Sequence, residues 1–340
     1  MDFQLIRSDE EFEGLGGEWN ELLERCSHHV PFLRHEYLQI WWKNRGGGEW
    51  PEAQLAVVAA RENQRLVGIA PLFAAANREG DRALLLLGSI EVSDYLDLIC
   101  PESDLAAFTS GLLRFLAGQD SIDWQVLDWF NILDSSPTLP ALEAAAKRNG
   151  WEYRAEKNYH CPFIPLPGDW EAYLAQVDKK QRHEIRRKIR RLETNGTTSR
   201  WYIVADPDQL EPEARAFMDL MAKDPEKADF LTGPMRAHFM ETIRCAYDQG
   251  CLQLAFLEIG GEKAAAYLSF DYLNRIWVYN SGLDRSLMDY SPGWVLLAYL
   301  LQWANENKRS EFDFMRGDED YKYRFGAVDR FVIRAQVRRN

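Results

Sequence analysis

The sequence predicts an α/β (α+β) protein built from two mixed-sheet domains in tandem, and three observations predict it. One order of elements, β-α-α-β-β-β-α-β-α-β, reads twice along the chain. Pro162, Pro165 and Pro167 cluster where the first reading ends, which marks a boundary near 166–169. A length of 340 residues is enough for two cores. The expected domains are therefore 1–166 and 167–340, the second opening with a basic helix over 170–195.

In the first half, Phe3–Ile6 reads as a short strand. Phe12, Leu15, Trp19, Leu22 and Leu23 recur at helical spacing, so Glu10–Cys26 should be one amphipathic helix. His35–Asn44 is a second helix, broken by the glycines at 46–48. Gln54–Arg61 and Leu66–Ala74 form a hairpin across 62–65, with Pro71 putting the second strand at an edge or bulge. Leu84–Leu87 and Tyr95–Ile99 are strands. Then follow helix Asp104–Leu116, strand Trp124–Phe130, helix Leu139–Asn149 and strand Trp151–Tyr159.

The second half opens with helix Trp170–Asn195, closed by Gly196. Strand Arg200–Val204 leads to helices Gln209–Ala222 and Pro234–Asp248. Strands Leu252–Leu257, Ala264–Tyr272 and Arg275–Ser281 precede helix Gly293–Asn307, and strand Glu311–Met315, short helix Glu319–Phe325 and strand Phe331–Val337 finish the chain.

Composition narrows the function classes. Apolar content of 46% and charge of 27% describe an ordinary folded chain. A net charge of −13 argues against a protein that binds nucleic acid over its whole surface, while leaving room for a local basic patch. The five cysteines have no C-x-x-C spacing and the six histidines form no ligand set, so neither a zinc site nor another metal centre is expected. The N-terminal residues lack a signal-peptide pattern, and the longest apolar stretch, Gly293–Trp303, is too short to span a bilayer; a cytoplasmic location is the expectation. Trp41, Trp42, Trp124 and Trp129 sit at helix and strand spacings that suit a core.

Two stretches point to chemistry. Ser291-Pro-Gly293 resembles a helix start, with Ser at the N-cap and Pro in the first turn. Such a start offers free N–H groups and positive dipole to a phosphate-bearing ligand, and Gly293 allows close backbone approach. Lys179–Arg191 carries eight Lys or Arg and one acid, with Arg182, Arg186 and Arg190 on one face; an anion-binding wall is one reading and a solvated helix docked by Ile185, Ile189 and Leu192 the other.

Several phrases resemble the GNAT acyltransferases: Val67-Gly-Ile-Ala-Pro-Leu-Phe73, Leu87-Gly-Ser89, Ser93-Asp-Tyr-Leu-Asp97, the basic helix, Ser291-Pro-Gly293, Phe312-Asp-Phe-Met-Arg-Gly317 and Tyr321-Lys322. The doubled order is similar to that of Fem-type aminoacyl transferases, and the phrases to a large bacterial GNAT group described as acetyltransferases of polysaccharide or cellulose biosynthesis. The resemblance covers nearly the whole chain. It implies two tandem GNAT-like domains, an acetyl-CoA or other acyl-CoA donor, and backbone N–H groups near Tyr279–Gly282 that meet the acyl carbonyl. The usual glycine-rich pyrophosphate loop is missing, since Gly293 is the one glycine in Arg285–Trp294.

The expected donor site is accordingly Ser281, Ser291, Gly293 and Trp294 in the second half. Asp97, Asp313 and Lys322 are the expected catalytic residues, two carboxylates to take an amine proton and a cation to steady developing negative charge. Asp94, Tyr95, Arg182, Arg186, Arg316 and Tyr321 are the expected acceptor- or substrate-binding residues. Strand alternation would put Tyr95 and Asp97 on one face. The expected activity is N-acylation of an amine on an amino sugar or other cell-envelope precursor, in a cleft between the halves. A donor aminoacyl-tRNA bound by the basic helix is the alternative, and a non-catalytic binding protein of polysaccharide biosynthesis a third reading.

Overall fold

A computed structural model of the chain describes residues 1–118 and 122–339. They form two compact units, residues 1–159 with 330–340, and residues 160–329.

The first unit begins with β1 (Asp2–Ile6), α1 (Asp9–Glu13), α2 (Gly16–Leu23) and α3 (His35–Arg45). The expected helix Glu10–Cys26 is two helices, interrupted at Gly14–Leu15. Next come β2 (Gln54–Leu55), β3 (Val57–Glu62), β4 (Arg65–Ala70) and β5 (Leu72–Ala76). Both arms of the expected hairpin therefore divide, one at Ala56 and one at Pro71. Pro71 has no N–H for a ladder, and here the chain leaves the three-stranded sheet β1-β3-β4 for a second sheet. Asn63 and Gln64 both have positive φ (50° and 66°), the conformation of a tight two-residue hairpin turn. The chain continues through β6 (Arg82–Leu86), α4 (Glu102–Ala117), β7 (Val126–Leu133), α5 (Thr138–Arg148) and β8 (Glu152–Pro165), which runs on into the second unit.

Tyr95–Ile99 is not a strand. Ile69 and Ile99 make a single antiparallel bridge, and side chains serve the backbone around it: Asp97 accepts from Leu98 N at 2.7 Å and Asn131 donates to Ser93 O at 2.8 Å. Tyr95 itself has φ of +59°, which breaks the alternation expected of it. Trp41, Trp124 and Trp129 are buried, the last two within the core formed with α4 and α5.

The second unit holds α6 (Trp170–Gln176), α7 (Lys179–Thr194), β9 (Ser199–Ile203), α8 (Pro207–Met221), α9 (Pro225–Phe230) and α10 (Gly233–Asp248). The single helix expected over 170–195 is broken at Val177–Asp178. Asp178 is extended and accepts from Lys180 N at 2.9 Å and Gln181 N at 3.3 Å, so its carboxylate starts a new helix. The short helix α9 was not expected; Asp224 caps it and Pro225 occupies its first turn. Strands β10 (Leu252–Ile259), β11 (Glu262–Tyr272) and β12 (Arg275–Leu283) form antiparallel hairpins, then follow α11 (Pro292–Glu306), β13 (Glu311–Asp313), α12 (Asp320–Arg324) and β14 (Val328–Arg338).

Each unit contains a parallel pair, β6 with β7 and β12 with β13. In the second unit the pairing lasts three residues, Arg275↔Glu311 to Trp277↔Asp313, while β12 runs on to Leu283 beside β11. The strands therefore part beyond Trp277. The register of β11 and β12 slips between Leu268 and Ser269, leaving Tyr279 as an extra residue in β12. The helix α11 covers this sheet with Val295, Leu296, Leu297 and Leu300 fully buried. Burial of that kind contributes about 1.5–3 kcal/mol per large aliphatic side chain.

The last strands depart from the expected boundary. Phe163, Ile164 and Pro165 of β8 pair with Asp313, Phe312 and Glu311 of β13, in the second unit. β14 pairs with β7, Val332↔Leu133 through Arg338↔Val126, so the chain from Arg330 on belongs to the first unit. The order β2-β5-β6-β7-β14 is completed by the end of the chain, and β13-β12-β11-β10-β9 is extended by the end of β8. Among the described residues no helix is long and apolar enough to cross a membrane.

Candidate functional site

A cavity of about 270 Å³ opens in the second unit where β12 ends and α11 begins. Its lining includes Ser281, Ser291, Gly293, Trp294 and Tyr321, so the four residues expected at the donor site and one expected at the substrate come together there. Lys188, Tyr267, Leu283 and Met288 also line it. The parting of β12 from β13 is what leaves the strand end open.

The start of α11 differs in detail from the sequence expectation. Ser291 precedes the helix, but with φ 53° and ψ 49° it is left-handed, and its side chain makes no cap hydrogen bond. A short 3-10 turn, 285–290, runs directly into it and fixes that geometry, with Ser291 N donating to Met288 O at 2.9 Å. Pro292 occupies the first turn as expected. A Cβ at Gly293 would meet Leu283 Cδ1 at 3.4 Å, on the cavity wall. The helix N-terminus, with its free N–H groups and positive dipole, thus lies at a lining that a larger residue would fill, which suits an anionic ligand despite the single glycine.

The basic helix reaches the cavity through a residue outside the face read from the sequence. Arg182 donates to Leu174 O at 3.3 Å and Arg186 pairs with Glu171, so both brace α7 on α6. Lys188 instead lines the cavity, its ammonium 4.2 Å from the centre of the Trp294 ring. Burial lowers its pKa; Glu184 raises it, and Arg187 and Arg324 add to the lowering. The expected spacing of Arg182, Arg186 and Arg190 overlooked it because Lys188 lies on the side of α7 that meets α11.

Burial holds the phenols of Tyr267 and Tyr321 well above the ordinary tyrosine range. The cavity thus contains two protonated phenols that can donate. At the other side of the strand end, Lys227 of α9 donates to Asn280 Oδ1 at 3.0 Å and to Ser281 O at 2.5 Å. Asn280 Oδ1 also accepts from Ser281 N at 2.8 Å. One N–H in the segment expected to meet an acyl carbonyl is therefore already engaged. Lys227 has no counterpart in the sequence reading, because its helix is six residues long and carries no apolar period.

The expected catalytic residues are placed otherwise. Asp313 is fully buried at the end of β13 and accepts from Met315 N at 2.7 Å. Lys322 is buried too, and its ammonium donates to Arg316 O at 3.2 Å and Gly317 O at 2.8 Å and pairs with Glu319 at 2.7 Å. These contacts tie the loop between β13 and α12, which includes the half-buried Arg316, rather than leaving a free cation. Asp94, Tyr95 and Asp97 lie in the first unit, all buried. Asp97 accepts from Ser136 Oγ as well as Leu98 N, and burial raises its pKa against the opposing pull of His28, Ser136 and Thr138. Among the described residues no group of His, Cys, Asp and Glu could hold a metal ion.

Residues 179–323, which carry the cavity, match the acetyltransferase (GNAT) domain family. No curated protein sequence matches the chain. Among solved structures the chain is similar to FemX, with 11% identity and a TM-score of 0.62 over 98% of this chain and 97% of that one. It is also similar to a conserved protein of unknown function from Bacteroides thetaiotaomicron, with 13% identity and a TM-score of 0.61 over 99% of this chain and 100% of the other. A third, L-PGS from Bacillus licheniformis, is 13% identical with a TM-score of 0.52, covering 92% and 93%. At these identities the solved structures establish a shared fold. Residues 179–323 thus carry the acetyltransferase (GNAT) domain match, and the chain as a whole shares its fold with FemX.

Proposed function

We propose that the protein transfers an acyl group from a coenzyme A thioester to an amine, with the second unit as donor site. The observation that carries this reading is the cavity that brings Ser281, Gly293, Trp294 and Tyr321 to the start of α11 inside the matched domain. A diphosphate would face the helix N-terminus and Lys188, and the thioester would lie along the parted end of β12. Direct attack by the amine then needs a proton for the departing thiolate, which Tyr321 or Tyr267, both in the cavity lining, would give. The acceptor is an amine of an amino sugar or cell-envelope precursor, and the work is done in the cytoplasm.

A second reading, aminoacyl-tRNA as donor, is favoured by the fold shared with FemX and by α7. On that helix Lys179, Lys180, Arg190 and Arg191 have no ion pair among the described residues, leaving cations free for phosphates.

The melting temperature in the presence of acetyl-CoA or CoA tests the donor. A ligand at a hundredfold excess over its Kd should stabilise the native chain by about 2.7 kcal/mol. The expected result is a saturable rise that Gly293→Leu removes. No rise at high concentration of either compound would turn the assignment to the aminoacyl-tRNA donor.

A further inference from the structure

We propose that Lys227 is a self-acylation site, where an acyl thioester held in the second unit transfers its acyl group to the chain's own amine. This rests on the acyl-CoA reading above.

Three observations place the amine. Lys227 Nζ bonds Asn280 Oδ1 and Ser281 O, within the segment expected to receive the acyl carbonyl, and Ser281 itself lines the cavity. Both partners are neutral oxygens. Asp224 at the start of α9 and Glu319 on the loop after β13 act on the ammonium at longer range, and burial outweighs them, lowering its pKa. A buried lysine amine held this way is more readily neutral than one in water. Two of its N–H bonds are directed at Asn280 and Ser281, so the lone pair of the neutral amine is its unengaged position.

The reaction balances without a further reagent. The nitrogen lone pair attacks the thioester carbonyl, the C–N bond forms, and the C–S bond breaks. The proton lost from nitrogen ends on the thiolate, giving N-acyl-lysine and free coenzyme A. The amide keeps one N–H, so one of the two bonds to Asn280 and Ser281 is lost and the positive charge is removed.

Lys322 and Lys180 are built-in comparisons. Lys322 is buried but tied to loop carbonyls and Glu319, and Lys180 is exposed. The test incubates the full chain with acetyl-CoA and maps acetylated peptides by mass spectrometry, alongside the melting temperature. The expected result is acetylation of Lys227 on the order of tenfold above Lys180, the advantage of a positioned amine over solution chemistry. It should saturate with acetyl-CoA, fall with excess CoA, and leave Lys322 unmodified. Lys227→Arg should keep the melting shift and lose the adduct; if that variant does not fold, the map of the unaltered chain decides alone. A melting shift with Lys227 unmodified, or labelled no more than Lys180, overturns the proposal and leaves the donor reading standing. Labelling that excess CoA does not suppress also overturns it. Neither shift nor label removes both.

Discussion

The Lys188 ammonium stands 4.2 Å from the centre of the Trp294 ring, and the two side chains together line the cavity beside the first turn of α11. The pairing joins the basic helix to the cavity and holds a positive charge where the proposed donor's diphosphate would lie. Lys188→Ala should weaken CoA binding about tenfold, the equivalent of about 1.4 kcal/mol. Isothermal titration reads it, and an unchanged Kd would remove Lys188 from the site.

Gly282 lies where β12 meets α8. A Cβ there would come within 2.8 Å of Met221 N and 2.9 Å of Leu220 C, both backbone atoms that cannot turn aside. Gly282→Ala should therefore destabilise the chain by about 1–3 kcal/mol. Urea unfolding measures this, and wild-type stability would mean that α8 moves off the strand at little cost.

Lys322 ties the carbonyls of Arg316 and Gly317 to Glu319. Lys322→Met keeps the apolar stem but leaves those acceptors unserved, and should lower stability by about 1–3 kcal/mol. A role confined to chemistry would instead leave the unfolding midpoint unchanged while abolishing turnover.

Asp97 gives a pH signature. Burial raises its folded-state pKa above the ordinary 3.8, so its contribution to stability is fully present below that value and is lost as pH rises through the folded value. Asp97→Asn stays neutral throughout and should flatten that decline. Urea midpoints between about pH 4 and about pH 7 compare the two chains; parallel curves would show that the native site tolerates the carboxylate.

The sequence was legible where apolar periods are long. Helix α11 and strands β10 to β12 fall within a few residues of their expected ends. It was less legible where one polar side chain redirects the backbone. Asp178 opens a new helix inside a helical pattern, and Asp97 with Asn131 holds an extended segment that makes no ladder. The cavity residues Ser281, Ser291, Gly293 and Trp294 were reached through the helix start and the family resemblance. Lys188 was hidden among seven other cations of its helix, and Lys227 in a helix too short to show a period. Asp313 and Lys322 have the residue types of a reactive site, but Asp313 accepts from the backbone of Met315 and Lys322 is held by Glu319 and by carbonyls of its own loop, which no spacing in the sequence reveals.

The exchanged end strands bear on how this gene can be divided. A cut at the proline cluster looks natural from the sequence, yet the upstream fragment would lack β14 and present β7 without that neighbour. The downstream fragment would lose the residues of β8 that border β13. Each piece would expose a row of unsatisfied ladder groups, a template for aggregation. The duplicated halves are therefore expected to be inherited, expressed and repaired by mutation as one indivisible unit. Fragments that regain solubility should do so when produced together, each supplying the border the other lacks.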